Sequence, residues 1–264
     1  MTAAPELLTI RDLAISFGGL KAVDGIDVTV EQGEVHALIG PNGAGKTTVF
    51  NLLTKFLIPT RGQILYKGED ITALKSATIA RRGVVRSFQI SAVFPHMTAL
   101  ENIRVALQSF EGNSYRFWQS GRRLNRLNER AMELLDAVGL TEFANTTTVE
   151  LAYGRKRALE LATTLAMEPE ILLLDEPFRA MDTVNKNRMH QHLLKIFQDN
   201  RKTIIFITHD LEEALFLADR VIVMTTRPGT LKLDIAVDLP RPRDQSIMAS
   251  AAYIALKQQA VSAV

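Results

Sequence analysis

The sequence predicts an α/β protein, a parallel sheet with helices packed on it. Three observations carry this. Short continuous apolar runs recur at residues 171–174, 203–208 and 221–224, the pattern of strands buried on both faces. Helix-period segments alternate with them, as parallel sheets require. A glycine-rich stretch from Gly40 to Thr48 joins a strand-like run, 34–39, to a helix-like run, 47–56.

In chain order, residues 7–17 and 26–30 are strand-like, broken by Gly18-Gly19 and Asp24-Gly25. Residues 63–66 form another short strand, ended by Lys67-Gly68. From 99 to 139 the pattern is helical: Ala131, Leu134, Leu135 and Val138 recur at helix spacing, and Gly139 is the stop. Residues 155–167 form a second helix, with Leu159, Ala162, Leu165 and Ala166 on its apolar side. Beyond Pro240-Arg241-Pro242-Arg243, residues 246–259 read as a separate helix.

A chain of 264 residues can bury a full core as one domain, alone or with a subdomain. Its hydrophobic fraction of 47% and charged fraction of 23% are ordinary for a soluble globular protein. No apolar run approaches the length of a membrane span. Residues 1–6 lack a charged and an apolar region, so no secretion signal is expected. The absence of cysteine excludes disulfides. A net charge of +2 gives no argument for nucleic acid. Arg122, Arg123, Arg126 and Arg130 share one helical stripe, either a solvated face or a contact with a partner or lipid headgroups.

The stretch Gly40-Pro41-Asn42-Gly43-Ala44-Gly45-Lys46-Thr47-Thr48 fits G-x-x-x-x-G-K-[ST]. Glycines let backbone N–H groups turn inward and approach phosphates closely. Lys46 places a point charge on the β- and γ-phosphates, and the Thr47 hydroxyl is a Mg²⁺ ligand. The following helix points its positive end at the anion. Downstream, the buried run 171–174 ends in Asp175-Glu176. Two carboxylates at the C-terminal edge of a sheet stand where ligands bind in such folds. Asp175 would hold Mg²⁺ and Glu176 would take a proton from the attacking water.

Leu151-Ala152-Tyr153-Gly154-Arg155-Lys156-Arg157 precedes that acidic pair. With this segment in place, the chain resembles the nucleotide-binding subunit of an ABC transporter. The family's marks occur in order as Phe17, Gly40–Thr48, Gln89, Leu151–Arg157, Ile171–Glu176, Asp182 and His209, over about residues 7–219. The resemblance implies a P-loop NTPase with a mostly parallel core sheet, an N-terminal antiparallel β subdomain and an inserted α-helical subdomain at about 90–166. Residues 1–240 would be the ATP-binding domain and 241–264 a helical tail.

The resemblance also implies roles. Phe17 fits either a stack on adenine or a place in the core. Gln89 would offer an amide oxygen to Mg²⁺ or water. Leu151, Ala152, Tyr153 and Gly154, with Asp182, would face the ATP of a second subunit, because the family closes two ATPs between head-to-tail subunits. Gly154 would open a helix whose free N–H groups bind the γ-phosphate. His209 would contact that phosphate and hold the water. The expected cofactors are ATP and Mg²⁺. The expected partners are a second ATP-binding subunit, transmembrane permease subunits and a substrate-binding protein, with no nucleic acid. The place is the cytoplasmic face of the inner membrane, as a peripheral subunit.

Two positions depart from the family pattern. Ala152 stands where serine is usual, removing a hydroxyl donor to the phosphate. Arg179 stands where a small residue is usual, next to Asp182. The two halves also resemble different branches. Residues 7–171, with Gly83-Val84-Val85-Arg86-Ser87-Phe88-Gln89 and Leu-Ala-Tyr-Gly, are similar to branched-chain amino acid importers. From Asp175 onward, with residues 208–220 and 239–243, the chain is similar to nitrate, sulfonate and taurine importers. Branched-chain amino acids are therefore the expected cargo and those anions the alternative. A soluble, non-transport ABC ATPase is a further alternative, although it would usually carry two cassettes or a long coiled-coil insertion. A GTPase would want Asn-Lys-x-Asp, but Asn185-Lys186-Asn187 is followed by Arg188.

Overall fold

The computed structural model describes residues 5–87, 93–110, 121–179, 181–200 and 202–262. Two compact units result: Met1–Val84 with Glu170–Pro177 and Arg201–Val264, and Val85–Pro169 with Phe178–Asn200.

The first unit opens with β1 (Glu6–Phe17) and β2 (Leu20–Glu31). These pair antiparallel, and β2 runs through Asp24-Gly25, which the sequence marked as a break. Irregular register along β1 absorbs the turn-like residues, and Gly25 takes a left-handed φ of 73°. Then come β3 (Val35–Ile39), α1 (Lys46–Leu53), β4 (Arg61–Tyr66), β5 (Glu69–Asp70), α2 (Ser76–Arg81) and β6 (Val84–Ser87). The first sheet has the order β2-β1-β4-β5 and is antiparallel throughout.

In the second unit, α3 (Ala99–Phe110), α4 (Gly121–Ala137) and α5 (Tyr153–Leu165) fill the helical stretch. Gly139 ends the α4 segment at φ 68°, as its place in the sequence predicts. After β7 (Ile171–Asp175) the chain forms α6 (Thr183–Asn200), a helix that the apolar pattern did not single out. Of the arginine stripe on α4, Arg130 pairs with Glu133 at 2.8 Å.

The chain then builds the rest of the first unit: β8 (Thr203–Ile207), α7 (Leu211–Leu217), β9 (Arg220–Met224) and β10 (Leu231–Ala236). The core sheet has the order β10-β9-β3-β8-β7-β6, the unit boundary falling within β6 after Val84. Strands β9, β3, β8 and β7 are parallel, and β10 is antiparallel to β9. Strands β3, β7 and β8 are buried at every residue, which explains why they are mostly apolar. The tail is a 3-10 turn, Gln245–Ala249, followed by α8 (Ala251–Val261), rather than one helix over 246–259. The Ser250 hydroxyl caps α8 by accepting from the Tyr253 N–H, so the chain restarts a helix there.

Candidate nucleotide site

Strand β3 delivers the chain to Gly40, where φ is 149° and an added Cβ would lie 2.6 Å from the Met224 carbonyl oxygen. Gly45 caps α1 in a left-handed conformation, φ 83°, with no side chain on the helix end. The first-turn N–H groups of α1 are thus left for an anion outside the chain. Lys46 is buried, and its ammonium donates to the carbonyls of Gly40 at 2.6 Å and Pro41 at 3.0 Å. Burial lowers its pKa, while the charges of Glu176 and Asp175 oppose that shift. Pro41, Asn42, Gly43 and Thr47 are exposed; Thr48 is half-buried and Ala44 buried. Phe17, at the end of β1, is 49% exposed, which removes the core reading of that ring.

Asp175 ends β7 as a buried carboxylate. Glu176 follows in the left-handed region, φ 47°, with its N–H bonded to the Ile207 carbonyl of β8 at 3.1 Å. A glutamate held there stores backbone strain of about 1–2 kcal/mol. His209 lies just past β8, its Nδ1 3.7 Å from Glu176 Oε1. The residues beside His209 are fixed on both sides. The Thr208 hydroxyl donates to Glu213 at 2.5 Å, and Asp210 caps α7 by accepting from the Glu212 and Glu213 N–H groups. A cleft of about 500 Å³ opens here, lined by Gly40, Pro41, Asn42, His209, Leu211 and Val261.

The second unit carries the other motif residues. Leu151 is buried and Ala152 is the N-cap of α5, φ −60° and ψ 154°, with no side-chain cap. Tyr153 begins the helix, half exposed, and Gly154 follows. Asp182 caps α6, accepting from the N–H groups of Val184 at 3.1 Å and Asn185 at 3.0 Å. Its second oxygen accepts from the Asn185 amide at 2.6 Å. A Cβ on Gly154 would stand 3.5 Å from that of Asn185, so one side chain lies beside both motifs. The Asp-x-x-Asn spacing, a helix N-terminus signal, was the available sequence clue to Asn185. Arg155 stacks on Phe143 at 3.9 Å, and Lys156 donates to the Val149 carbonyl at 3.1 Å. Arg179 is exposed. Gln89 lies outside the described residues.

The sequence profile described as "ABC transporter" matches residues 23–179. The chain belongs to the ABC transporter family. It is 39% identical over 223 residues to the high-affinity branched-chain amino acid transport ATP-binding protein BraF of Pseudomonas aeruginosa, covering 83% of this chain and 88% of that one. It is 37% identical over 248 residues to the bicarbonate transport ATP-binding protein CmpD of Synechococcus elongatus, covering 92% and 84%. Among solved structures, the ADP conformation of the ATP-binding cassette MJ1267 superposes with a TM-score of 0.75 at 24% identity over 95% of this chain and 98% of that one, a likeness of fold. The dimeric post-hydrolysis state of the cassette MJ0796 bound to ADP and Pi gives 0.73 at 25% identity, over 89% and 100%. The chain is an ATP-binding subunit of the importer type and an ATPase, with the α/β fold its sequence predicts.

The residues of this ABC ATPase fit a nucleoside triphosphate. An open helix end, a buried ammonium and glycines at positive φ form an anion cradle at one sheet edge. They also fit Mg²⁺ in the way that ion is usually held. The Asp175 carboxylate at the end of β7 and the Thr47 hydroxyl at the start of α1 are the oxygen donors the chain would offer that ion, with phosphates completing its shell.

Proposed function

We propose that this ATPase is the peripheral energy-supplying subunit of an importer on the cytoplasmic face of the inner membrane. It pairs head to tail with a second ATP-binding subunit and acts on transmembrane permease subunits fed by a substrate-binding protein. Nucleic acid has no part in it. Residues 1–240 serve as the ATP-binding domain, with residues 90–166 its helical subdomain and 241–264 a tail. Among the described residues no helix is long and apolar enough to cross a membrane, so the permease would supply the path.

The observation that supports this reading is that two motif segments each open a helix whose N-terminus has no side-chain cap, at Gly45 and at Ala152. Each can hold phosphate, and one ATP between two copies would engage the first on one subunit and the second on the other. Lys46 binds the β- and γ-phosphates and Phe17 stacks on the base. Thr47, Asp175 and Gln89 would hold Mg²⁺, which would supply positive charge to the phosphates. Glu176 takes a proton from water as its oxygen bonds to the γ-phosphorus. The bond to the β-phosphate oxygen breaks, giving ADP and phosphate. His209 holds the water and the γ-phosphate. Losing that phosphate removes the contacts that bridge the subunits, which reopens the dimer.

Branched-chain amino acids are the proposed cargo, supported by the BraF likeness and the Leu-Ala-Tyr-Gly segment. A small anion is the second reading. The CmpD likeness covers more of the chain, and residues from Asp175 onward resemble the anion importers. Reconstitution with the permease and binding protein in vesicles tests both readings. Leucine uptake driven by internal ATP supports the first, and nitrate, sulfonate or bicarbonate uptake the second. ATP turnover unaffected by membrane partners and without uptake contradicts the transport role.

A further inference from the structure

The tail after β10 is fastened around α7 at both ends. At the C-terminal end, Arg243 is 3% exposed. Its Nη1 donates to the carbonyls of Ala218 at 2.6 Å, Phe216 at 3.2 Å and Leu215 at 3.4 Å. Its Nη2 donates to Val237 at 3.2 Å and Leu239 at 3.3 Å. At the N-terminal end, Lys257 of α8 pairs with Glu212 at 2.6 Å, and Tyr253 is buried. Arg241 donates twice to Asp219 Oδ1, at 2.7 and 3.0 Å, while Asp219 Oδ2 accepts from the Val35 N–H of β3 at 2.9 Å. Val261, at the end of α8, lines the cleft beside Gly40 and His209.

Helix α7 has only seven residues, too few to be stable alone. Its last carbonyls have no partners within the helix, so an outside donor must take them. Arg243 does so from a buried place, at the cost of burying a cation; burial brings its pKa down to about 10. One end of α7 therefore rests on two guanidiniums of the tail, Arg243 on the Leu215 and Phe216 carbonyls and Arg241 on the Leu217 carbonyl at 2.8 Å. The other rests on Asp210, the residue after His209.

We propose that Arg243 is a positioning residue for ATP hydrolysis: by gathering the C-terminal carbonyls of α7 it holds that short helix, and through it His209, against the phosphate loop. This rests on the reading of His209 given above. Arg243 does not touch the nucleotide pocket, so it acts on the chemical step rather than on ATP binding.

The test is steady-state hydrolysis by the full chain as wild type, Arg243→Met, Arg243→Lys, His209→Ala and the Arg243→Met/His209→Ala pair, with thermal melts alongside. Loss of kcat by roughly tenfold in Arg243→Met with an unchanged KM for ATP, and a smaller loss in Arg243→Lys, is expected. In the His209→Ala background Arg243→Met should add nothing, because the two residues act on one step. An unchanged kcat in folded Arg243→Met, or an equal further loss without His209, overturns the proposal. If Arg243→Met does not fold, Arg243→Lys decides by the same split of kcat from KM. Full turnover by His209→Ala removes the underlying reading of His209. Loss in His209→Ala with none in the Arg243 variants removes only the positioning role.

Discussion

Glu176 and His209 face each other at the ends of adjacent strands, Oε1 to Nδ1 3.7 Å apart. That gap is longer than a hydrogen bond. It is set by backbone, since the Glu176 N–H is bonded to the Ile207 carbonyl two residues before His209. The parallel pairing of β7 with β8 thus places the proposed base and the proposed γ-phosphate contact together, each on a residue just past a buried strand.

Lys46 leans on its own loop, through the carbonyls of Gly40 and Pro41. Removing it takes away a charge-assisted contact to phosphate worth about 1.5–3 kcal/mol. Lys46→Ala should weaken ATP binding by about tenfold or more, measured by titration with a fluorescent ATP analogue. An unchanged affinity would contradict the assignment of Lys46.

Ala152 caps α5 without a side-chain acceptor. Ala152→Ser should stabilise the fold by about 1 kcal/mol through a new cap, seen as a raised Tm. It should also tighten the ATP-dependent dimer, since the added hydroxyl can donate to a phosphate across the interface. A variant with unaltered Tm and unaltered dimer affinity would show that this helix end is not limiting.

Lys55, just past α1, is a buried amine in a left-handed conformation, φ 62°. Its Nζ has no hydrogen-bond partner among the described residues. Burial pulls its pKa down to about 8, the Asp70 charge opposing. The folded pKa lies below the unfolded one, so the fold gains stability as pH rises from about 8 to about 10. Lys55→Gly removes the buried amine and relaxes the backbone. It should raise stability at pH 7 by about 1 kcal/mol and flatten that rise, both read from urea melts at pH 7 to 10. A less stable variant, or an undiminished pH slope, counts against this account.

Much of this was legible in the sequence because the chemistry is local. Gly40 to Thr48 must be contiguous to wrap a phosphate, and β3, β7 and β8 read as strands because burial on both faces makes them mostly apolar. What escaped was tertiary. Helix α6 shows helix spacing only in its second half, where Met189, Leu193, Ile196 and Phe197 are buried, while its first turns are polar. β2 continues through Asp24-Gly25 because its pairing with β1 on either side, and the Asp24 N–H bond to the Gly229 carbonyl, fix it. The grip of Arg243 on α7 joins residues 25 or more apart, beyond any periodicity. For Phe17 the sequence allowed core or stack, and its exposure removes the core.

The most direct measurement compares wild type with Glu176→Gln, following ATP hydrolysis, ATP binding and assembly by size-exclusion chromatography with Mg²⁺ and ATP. The amide keeps the shape of the side chain but cannot take a proton from water. Turnover should fall by about 10²–10⁴, binding should persist, and the variant should elute as a dimer only with ATP. Full turnover in Glu176→Gln would remove it from the base role. A monomer at saturating ATP would contradict the closure of two subunits around the nucleotide.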